Sequence, residues 1–216
     1  MKIIHGSGWF SLCIQIVTII IDTFALSMKT PPSLALVKQL LWIEYIVNLV
    51  EGSFYVWMVY HFTKIKNITV ARYYDWMVTT PIMLFTYSIY IINKKESQPD
   101  LYTAVVENKL VLGTIILLNW TMLCFGYLSE IDKMDARIST PLGFIPFSLM
   151  FYLIYDHYAK YTSVGITTFY YVIFIWSLYG VAALLSYTAK NVMYNILDLF
   201  SKNFFALFLA YLLMYP

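Results

Sequence analysis

Several charged residues lie within or close to long apolar stretches of this sequence, where charge is unusual. They are Asp22, Glu44, Glu51, Arg72, Asp75, Asp198 and Lys202. A charged side chain at the centre of a lipid bilayer costs about 2.5–3.5 kcal/mol or more, so such groups must pair with one another, face inward or line water. A lysine among apolar groups is driven toward its neutral amine, the form that condenses with an aldehyde. These residues could therefore pair ions, transfer ions or hold an aldehyde covalently.

Polar residues recur at intervals of three or four on three of these stretches, which places each set on one face of an α-helix with 3.6 residues per turn. The sets are Ser11, Gln15, Thr18 and Asp22; Glu44, Asn48 and Glu51; and Asn191, Asn195, Asp198 and Lys202. A single polar residue in a membrane helix most often mediates helix packing, but three polar faces indicate a hydrated seam. The residues alone therefore predict transport, ion conduction or a buried chromophore, and they leave that choice open.

The apolar stretches indicate the elements that position these residues. Of the 216 residues, 61% are hydrophobic and 12% are charged, whereas soluble domains have about 25% charged residues. Because a spanning helix needs about 20 apolar residues, the chain has room for about seven such helices and no separate soluble domain. We predict an all-α, integral, multi-pass membrane protein with a single domain over residues 1–216. The predicted helices span residues 8–28, 34–62, 69–92, 110–129, 140–160, 164–188 and 192–215.

Composition and motifs disfavour several classes of function. A net charge of +2 gives no support for a nucleic-acid partner. No nucleophile elbow, phosphate-binding loop or metal-ligand motif occurs, so we predict neither an enzyme nor a metal site. Basic residues are divided equally between the two predicted membrane faces, so the positive-inside rule does not orient the chain. The lipid bilayer is the one partner that the composition itself predicts.

Two strings of residues resemble those of the microbial rhodopsins. Asp198-Leu-Phe-Ser-Lys202 resembles the seventh-helix string in which the last lysine binds retinal. Arg72-Tyr-Tyr-Asp75-Trp76-Met-Val-Thr79-Thr80-Pro81 resembles the third-helix string of the same family. The compact chain is also similar to the viral rhodopsins of giant viruses. The resemblance implies a seven-helix bundle that encloses a retinal pocket, with an extracellular N-terminus.

The resemblance also implies roles for individual residues. Lys202 would bind all-trans retinal as a Schiff base, with Asp75 and Asp198 as its counterions. Thr80 and Asn119 would occupy the positions of a hydrogen-bonded pair between helices 3 and 4. The other residues expected to contact retinal are Trp76, Thr79, Thr80, Met122, Gly126, Trp176 and Tyr179.

Three features are similar to channelrhodopsins and lead to the first functional hypothesis, a light-gated cation channel. Asn203 directly follows the lysine, Glu44 and Glu51 are seven residues apart, and Ser11 or Ser7 could join Glu51 and Asn203 in a gate. A face of carboxylates attracts cations and lowers the cost of leaving bulk water. The predicted path for monovalent cations or protons comprises Ser11, Gln15, Glu44, Asn48, Glu51, Arg72, Asn195 and Asn203.

Two other functions stay open. An outward proton pump needs a proton acceptor, which Asp75 would provide, and a donor carboxylate that the family places eleven residues later. That position is Thr86, and a threonine has no proton to give near neutral pH, so this sequence favours at most a weak pump. A sensory rhodopsin would signal through a partner bound to the membrane helices. Family analogy further implies a homo-oligomer.

Overall fold

In the computed structural model, which describes residues 1–96 and 100–215, the chain folds into seven long helices without a strand. The helices are α1 (Lys2–Ser27), α2 (Ala35–Tyr60), α3 (Ile68–Glu96), α4 (Leu101–Glu130), α5 (Ala136–His157), α6 (Ser163–Ala183) and α7 (Tyr187–Met214). Part of a predicted turn, residues 97–99, and Pro216, the end of the predicted domain, lie outside the described residues. The predicted all-α, seven-helix architecture is confirmed.

The helices have the length and composition of membrane spans. In the described parts of the chain, six of them are long and apolar enough to cross a membrane. The exception is α3, which contains Arg72 and Asp75 and ends in basic residues. Large apolar side chains such as Ile16, Phe24 and Leu117 are exposed on the outside of the bundle. An outer surface of this kind is suited to lipid rather than to water.

Several predicted helix ends are wrong; α1 begins at Lys2 rather than at residue 8, and α5 spans Ala136–His157 rather than residues 140–160. Helix α4 begins at Leu101 rather than at residue 110, because the exposed Glu107 and Lys109 interrupt the hydropathy without interrupting the helix. Helix α6 ends at Ala183 rather than at residue 188, and α7 begins at Tyr187 rather than at residue 192. Hydropathy is nearly continuous there, so it gave no indication of the short turn between the two helices.

The helices close into a ring in chain order, because each packs against its neighbours in the sequence and α1 packs against α7. The three predicted polar faces on α1, α2 and α7 point into this ring. All their members are buried: Ser11, Gln15, Thr18, Asp22, Glu44, Asn48, Glu51, Asn191, Asn195, Asp198 and Lys202. The prediction that these polar faces point inward is confirmed, and their hydration stays a prediction. The ring provides the low-dielectric interior in which these polar groups must satisfy one another.

Helix α7 changes its winding at the residues with the strongest chemical signature. The segment Leu199–Asn203 is π-helical and lies between two α-helical parts. Its side chains Ser201, Lys202 and Asn203 are all buried. Single turns of π-helix inside α-helices are frequent at functional sites. The sequence gave no indication of this feature.

Candidate functional site

The amine of Lys202 lies among three buried carboxyl groups. Its Nζ atom is 2.6 Å from Oδ2 of Asp75, 3.4 Å from Oε1 of Glu51 and 3.9 Å from Oδ1 of Asp198. These acids come from α3, α2 and α7, so the ring of helices brings together groups that are distant in sequence. The two predicted counterions lie beside the lysine, and Glu51, predicted only as a path residue, is a third acid at the same amine.

On the N-terminal side of Lys202, Arg72 is the centre of a hydrogen-bonded group that we call the paired network. Its Nη1 atom is 3.0 Å from Oδ2 of Asp198, and its guanidinium also donates to Asn195. Tyr55 and Tyr179 donate to the two oxygens of Asp198 at 2.7 and 2.8 Å. The paired network comprises Arg72, Asp198, Asn195, Tyr55 and Tyr179, and it holds Asp198 from three directions.

The sequence reasoning missed Tyr55. Its phenolic group is fully buried and donates to Asp198. A signal was present, because Tyr55 follows Glu51 by four residues and extends the polar face of α2 by one more turn.

Counting charge around Lys202 shows that the site cannot hold all its acids as anions and stay neutral. Lys202 and Arg72 are the two cations near the three carboxyl groups. Full compensation therefore requires one carboxyl group to carry a proton. Both oxygens of Glu51 lack a hydrogen-bond partner within the described residues, whereas Asp198 is bonded through both oxygens. Glu51 is accordingly the best place for that proton.

An apolar cavity of about 110 Å³ opens beside Lys202. Its walls include the predicted residues Trp76, Thr80, Met122, Gly126, Trp176 and Tyr179. Of the predicted contact residues, Thr79 is the exception, because it is fully buried and donates to the carbonyl oxygen of Asp75. Residues not predicted from the sequence also line the cavity, among them Met83, Phe144, Phe147 and Ser201.

Two glycines keep this cavity lined by aromatic rings. A Cβ atom at Gly180 would lie 2.5 Å from the ring of Phe144. A Cβ atom at Gly126 would collide with the hydroxyl group of Tyr73. Rings can approach the helix backbone at these points only because no side chain is there. A mostly apolar slot with one compensated amine fits an apolar aldehyde that attaches to Lys202.

The wall of the cavity also contains the predicted bond between helices 3 and 4. Asn119 Nδ2 donates to Thr80 Oγ1 at 2.8 Å, which confirms that these two residues pair. One turn away, Trp120 Nε1 donates to the carbonyl oxygen of Met77 at 3.0 Å. These two bonds fix α4 to α3 beside the cavity.

On the other side of Lys202, toward the C-terminal end of α1, lies a second polar group that we call the carboxyl relay. It comprises Asp22, Asn48, Glu44 and Thr86. Asn48 Nδ2 donates to Asp22 Oδ2 at 2.9 Å, and Thr86 is hydrogen-bonded to Glu44. All four side chains are fully buried. Neither carboxyl group forms an ion pair in the described part of the chain.

The hydrogen bonds do not join the residues of the predicted gate. Ser11 Oγ donates to the carbonyl oxygen of Asn195 at 2.8 Å, and Ser7 accepts from the amide of Asn195 at 2.8 Å. Glu51 lies beside Lys202 instead. The amide of Asn203 is buried with no hydrogen-bond partner among the described residues. Both serines thus fix α1 to α7 on the side of the paired network.

Comparison with known proteins identifies the family. The sequence profile described as "Bacteriorhodopsin-like protein" matches residues 7–215, nearly the whole chain. The chain belongs to this family. A microbial rhodopsin is an integral multi-pass membrane protein with a retinal chromophore, in agreement with the spans and the cavity described above.

The related proteins agree with this assignment. The chain is 26% identical over 156 residues to the green-light absorbing proteorhodopsin of gamma-proteobacterium EBAC31A08, an alignment that covers 64% of this rhodopsin and 59% of that relative. The solved viral rhodopsin OLPVRII is 26% identical, with a TM-score of 0.87 and 99% of both chains covered. The proton pumping rhodopsin AR2 of the marine alga Acetabularia acetabulum is 16% identical, with a TM-score of 0.75 and coverage of 97% and 94%, and shows a shared fold alone.

Proposed function

We propose that this rhodopsin is a light-driven proton transporter that binds all-trans retinal through Lys202 and moves protons toward the side of its N-terminus. The proposal rests on two features of the buried polar faces. Lys202 has three carboxyl groups around its nitrogen, and Glu44, farther toward the C-terminal end of α1, is a separate carboxyl group to which the proposal assigns a proton. The family supplies the precedent of light-driven transport. We further propose that the N-terminus is extracellular, so transport is outward.

When bound, retinal would supply the absorption of light and the isomerisation that displaces the Lys202 nitrogen from its partners. The residues of the chain then determine where a proton can go. Asp75 is the nearest acceptor, because its Oδ2 atom is 2.6 Å from Nζ of Lys202. Asp198 is held by Arg72 and two tyrosines, so it stabilises positive charge at Lys202 and stays an anion. A proton on Asp75 therefore lies on the side of the paired network, from which it can leave.

The observation that carries the proposal is the hydrogen bond between Thr86 and Glu44. Thr86 occupies the donor position of the family but cannot give a proton itself. Its hydroxyl group is also 3.0 Å from the carbonyl oxygen of Met83. A hydroxyl has one proton, so Thr86 either donates it to Glu44 or donates it to a backbone carbonyl and accepts from a protonated Glu44; the bond is therefore compatible with a proton on Glu44. Glu44 is buried without a cation, which disfavours its charge. Glu44 thus supplies the protonated carboxyl group that α3 lacks.

The test of this proposal is a pH measurement on illuminated vesicles. Protein regenerated with all-trans retinal and reconstituted in one orientation should acidify the compartment that faces its N-terminus. A protonophore should abolish the change, because it dissipates a proton gradient, and the Lys202→Ala variant should give none. A coloured, photoactive protein that produces no protonophore-sensitive pH change would contradict the proposal.

A light-gated cation channel is the second candidate. It is favoured by the buried polar atoms of Gln15, Glu51 and Asn203 that have no hydrogen-bond partner in the described residues. Buried polar groups of this kind are usually satisfied by water, and a line of water along α1, α2 and α7 would be a route for cations. Voltage clamp separates the two functions: a channel current reverses at the equilibrium potential of the conducted cation, whereas a pump current keeps its sign.

Two further features stay proposals. The substrates are protons for the pump and monovalent cations for the channel, and both functions require the lipid bilayer as partner. A homo-oligomer is proposed from the family alone. Chemical cross-linking in native-like membranes, compared with the same protein in detergent, would test it.

A further inference from the structure

The carboxyl relay contains an acid that the proposed function has not used. Asp22 on α1 is fully buried, and its Oδ2 atom accepts a hydrogen bond from Asn48. Its second oxygen, Oδ1, has no hydrogen-bond partner within residues 1–96 and 100–215. An aspartate buried without a cation is expensive to keep charged and is retained in membrane helices chiefly for function. Its place in the seam indicates what that function is.

The depth of Asp22 in the membrane follows from its contacts with α2. It bonds to Asn48, and its chain neighbour Thr23 donates to Tyr45 at 3.2 Å. Asp22 therefore lies level with the stretch of α2 between Glu44 and Glu51. Because a helix rises 1.5 Å per residue, the seven residues from Glu44 to Glu51 span about 10 Å. Asp22 lies opposite the middle of that gap.

A gap of this size is too long for direct proton transfer. Proton transfer requires the two heavy atoms to be about 2.6–3.2 Å apart or joined by one water. Asn48 lies in the gap, but an amide neither gains nor loses a proton near neutral pH. Asp22 is the acid within hydrogen-bond distance of that amide. A proton that leaves Glu44 toward Glu51 and Lys202 can therefore stop at Asp22 within this gap.

The surroundings of Asp22 provide partners for the water that such a transfer needs. Three side-chain oxygens of the carboxyl relay lack a partner in the described structure: Asp22 Oδ1, Glu44 Oε2 and Asn48 Oδ1. A fourth, Oε1 of Gln15, lies nearer the other end of the gap, because it is 3.8 Å from the position of a Cβ atom at Gly52, the residue after Glu51. Buried waters typically make about three hydrogen bonds to such otherwise unsatisfied groups. Water can therefore bridge these side chains.

We propose that Asp22 is an intermediate proton carrier between Glu44 and Lys202. This inference rests on the proposed function. Protonated Asp22 gives its proton, through water beside Glu51, to the Lys202 nitrogen and becomes a carboxylate. Glu44 then gives its proton to Asp22, and a proton from the C-terminal side of the membrane restores Glu44. Together with the earlier transfer from Lys202 to Asp75 and release from Asp75 on the N-terminal side, the sum is one proton moved along the seam, with every group returned to its starting state.

The experiment compares the rates of proton uptake in variants of the retinal-loaded protein, with a pH-indicator dye and flash excitation. Asp22→Asn keeps an oxygen that accepts from Asn48 but cannot hold a proton. It should slow proton uptake and recovery of the dark absorption by about tenfold or more, while the preceding proton release keeps its rate. A small permeant weak acid, azide, should restore the rate, because it carries protons into the seam. Azide would not repair a merely structural defect.

Three comparisons make the outcome decisive. Asp156→Asn removes an acid that lies outside the seam and pairs with Lys160 near the end of α5, and it should keep the wild-type rate. Asp22→Glu, which still holds a proton, should stay within about threefold of wild type, and it replaces Asp22→Asn if that variant does not take up retinal. A wild-type uptake rate in Asp22→Asn, or a tenfold slowing in Asp22→Glu, overturns the inference.

Glu44→Gln separates this inference from the proposed function. If Glu44→Gln slows uptake and Asp22→Asn does not, Asp22 only packs α1 against α2 and the proposed donor stands. If neither variant slows uptake, the donor assignment fails together with the inference. If no variant and no wild-type protein moves protons, the proposed function itself fails.

Discussion

On the N-terminal side of Lys202 the buried charges of Arg72 and Asp198 pair with each other, whereas on the C-terminal side two buried carboxyl groups form no ion pair among the described residues. Arg72 and Asp198 are 3.0 Å apart, and hydroxyl groups satisfy the rest of Asp198. In the carboxyl relay, Asp22 and Glu44 each have one bonded oxygen and one oxygen without a described partner. The charged groups Arg72 and Asp198 and the acids Asp22 and Glu44 are all fully buried, so burial alone does not explain the contrast.

The contrast teaches that the same membrane interior can be used in two ways. A compensated ion pair with full hydrogen bonding keeps charge in a fixed place. Uncompensated acids with spare hydrogen-bonding capacity hold protons and exchange them through water. Lys202 lies between the two regions, so a change at its nitrogen can draw a proton from one side and deliver it to the other.

The largest expected effect comes from removing the residue at which the two regions meet. Lys202→Ala should abolish covalent uptake of retinal and all visible colour, because no amine remains beside the cavity. Absorption spectra and the mass of the intact protein after incubation with retinal measure this. Lys190→Ala is the control. Lys190 lies outside the cavity and pairs with Glu130, with 2.6 Å between its Nζ atom and Oε1 of Glu130, so its replacement should leave the colour unchanged. Covalent retinal on Lys202→Ala would show that retinal does not attach at Lys202, and the comparison of the two regions around this residue would lose its basis.

A smaller effect is expected when the paired network loses its anion. Asp198→Asn leaves the Arg72 guanidinium buried without its carboxylate, which should lower the free energy of unfolding by about 3–5 kcal/mol. Thermal bleaching and denaturant titration of the pigment measure the loss. Tyr55→Phe removes one hydrogen bond to the same carboxylate and should cost about 2 kcal/mol. Equal stability of Asp198→Asn and the wild type would show that this side is not held by charge pairing.

The carboxyl relay should respond in the opposite way, with a large kinetic effect and little loss of stability. Glu44→Gln should slow proton uptake by about 100-fold, because a glutamine cannot give a proton to the seam. Its unfolding free energy should change by about 1 kcal/mol or less, since an uncharged amide still bonds to Thr86. Flash photolysis and thermal bleaching of the same sample give both values. A strongly destabilised variant with normal kinetics would reverse the assigned roles.

The smallest effect on stability is expected at the N-terminal end of the bundle, outside the paired network. Glu130 and Lys190 form an ion pair of 2.6 Å between the end of α4 and the start of α7. The two side chains are 12% and 7% exposed and lie outside the paired network, so Glu130→Gln should lower the thermal bleaching midpoint less than Asp198→Asn does and leave proton uptake unchanged. A loss of stability in Glu130→Gln as large as that in Asp198→Asn would show that the Glu130–Lys190 pair, and not the paired network, stabilises the N-terminal side.

Much of the fold was predictable because spacing in a helix is a local property. Intervals of three and four residues placed Asp22, Glu44 and Asp198 on inward faces, and the structure buries all three. The strings around Asp75 and Lys202 predicted that the acid and the amine meet, and they are 2.6 Å apart. Helix ends were less predictable, because the turn between α6 and α7 depends on backbone geometry in a stretch of continuous hydropathy.

The parts of the site that sequence reasoning missed depend on which helices touch at which depth. Thr86 indicated a missing proton donor, and nothing in the sequence of α3 shows that Glu44 from α2 reaches the same place. Glu51 was assigned to a path rather than to the lysine because depth along two antiparallel helices is set by their packing. The π-helical turn at Leu199–Asn203 was likewise not indicated by the sequence.

The central claim is that the carboxyl relay holds protons while the paired network holds charge. Light-minus-dark infrared difference spectra test it most directly, because a protonated carboxyl group and a carboxylate absorb at different frequencies. We predict a carbonyl band of protonated Glu44 that is lost when Glu44 passes its proton to Asp22 and returns on proton uptake; this band should be absent in Glu44→Gln and persist in Asp198→Asn. A band that survives in Glu44→Gln but disappears in Asp198→Asn would contradict the account.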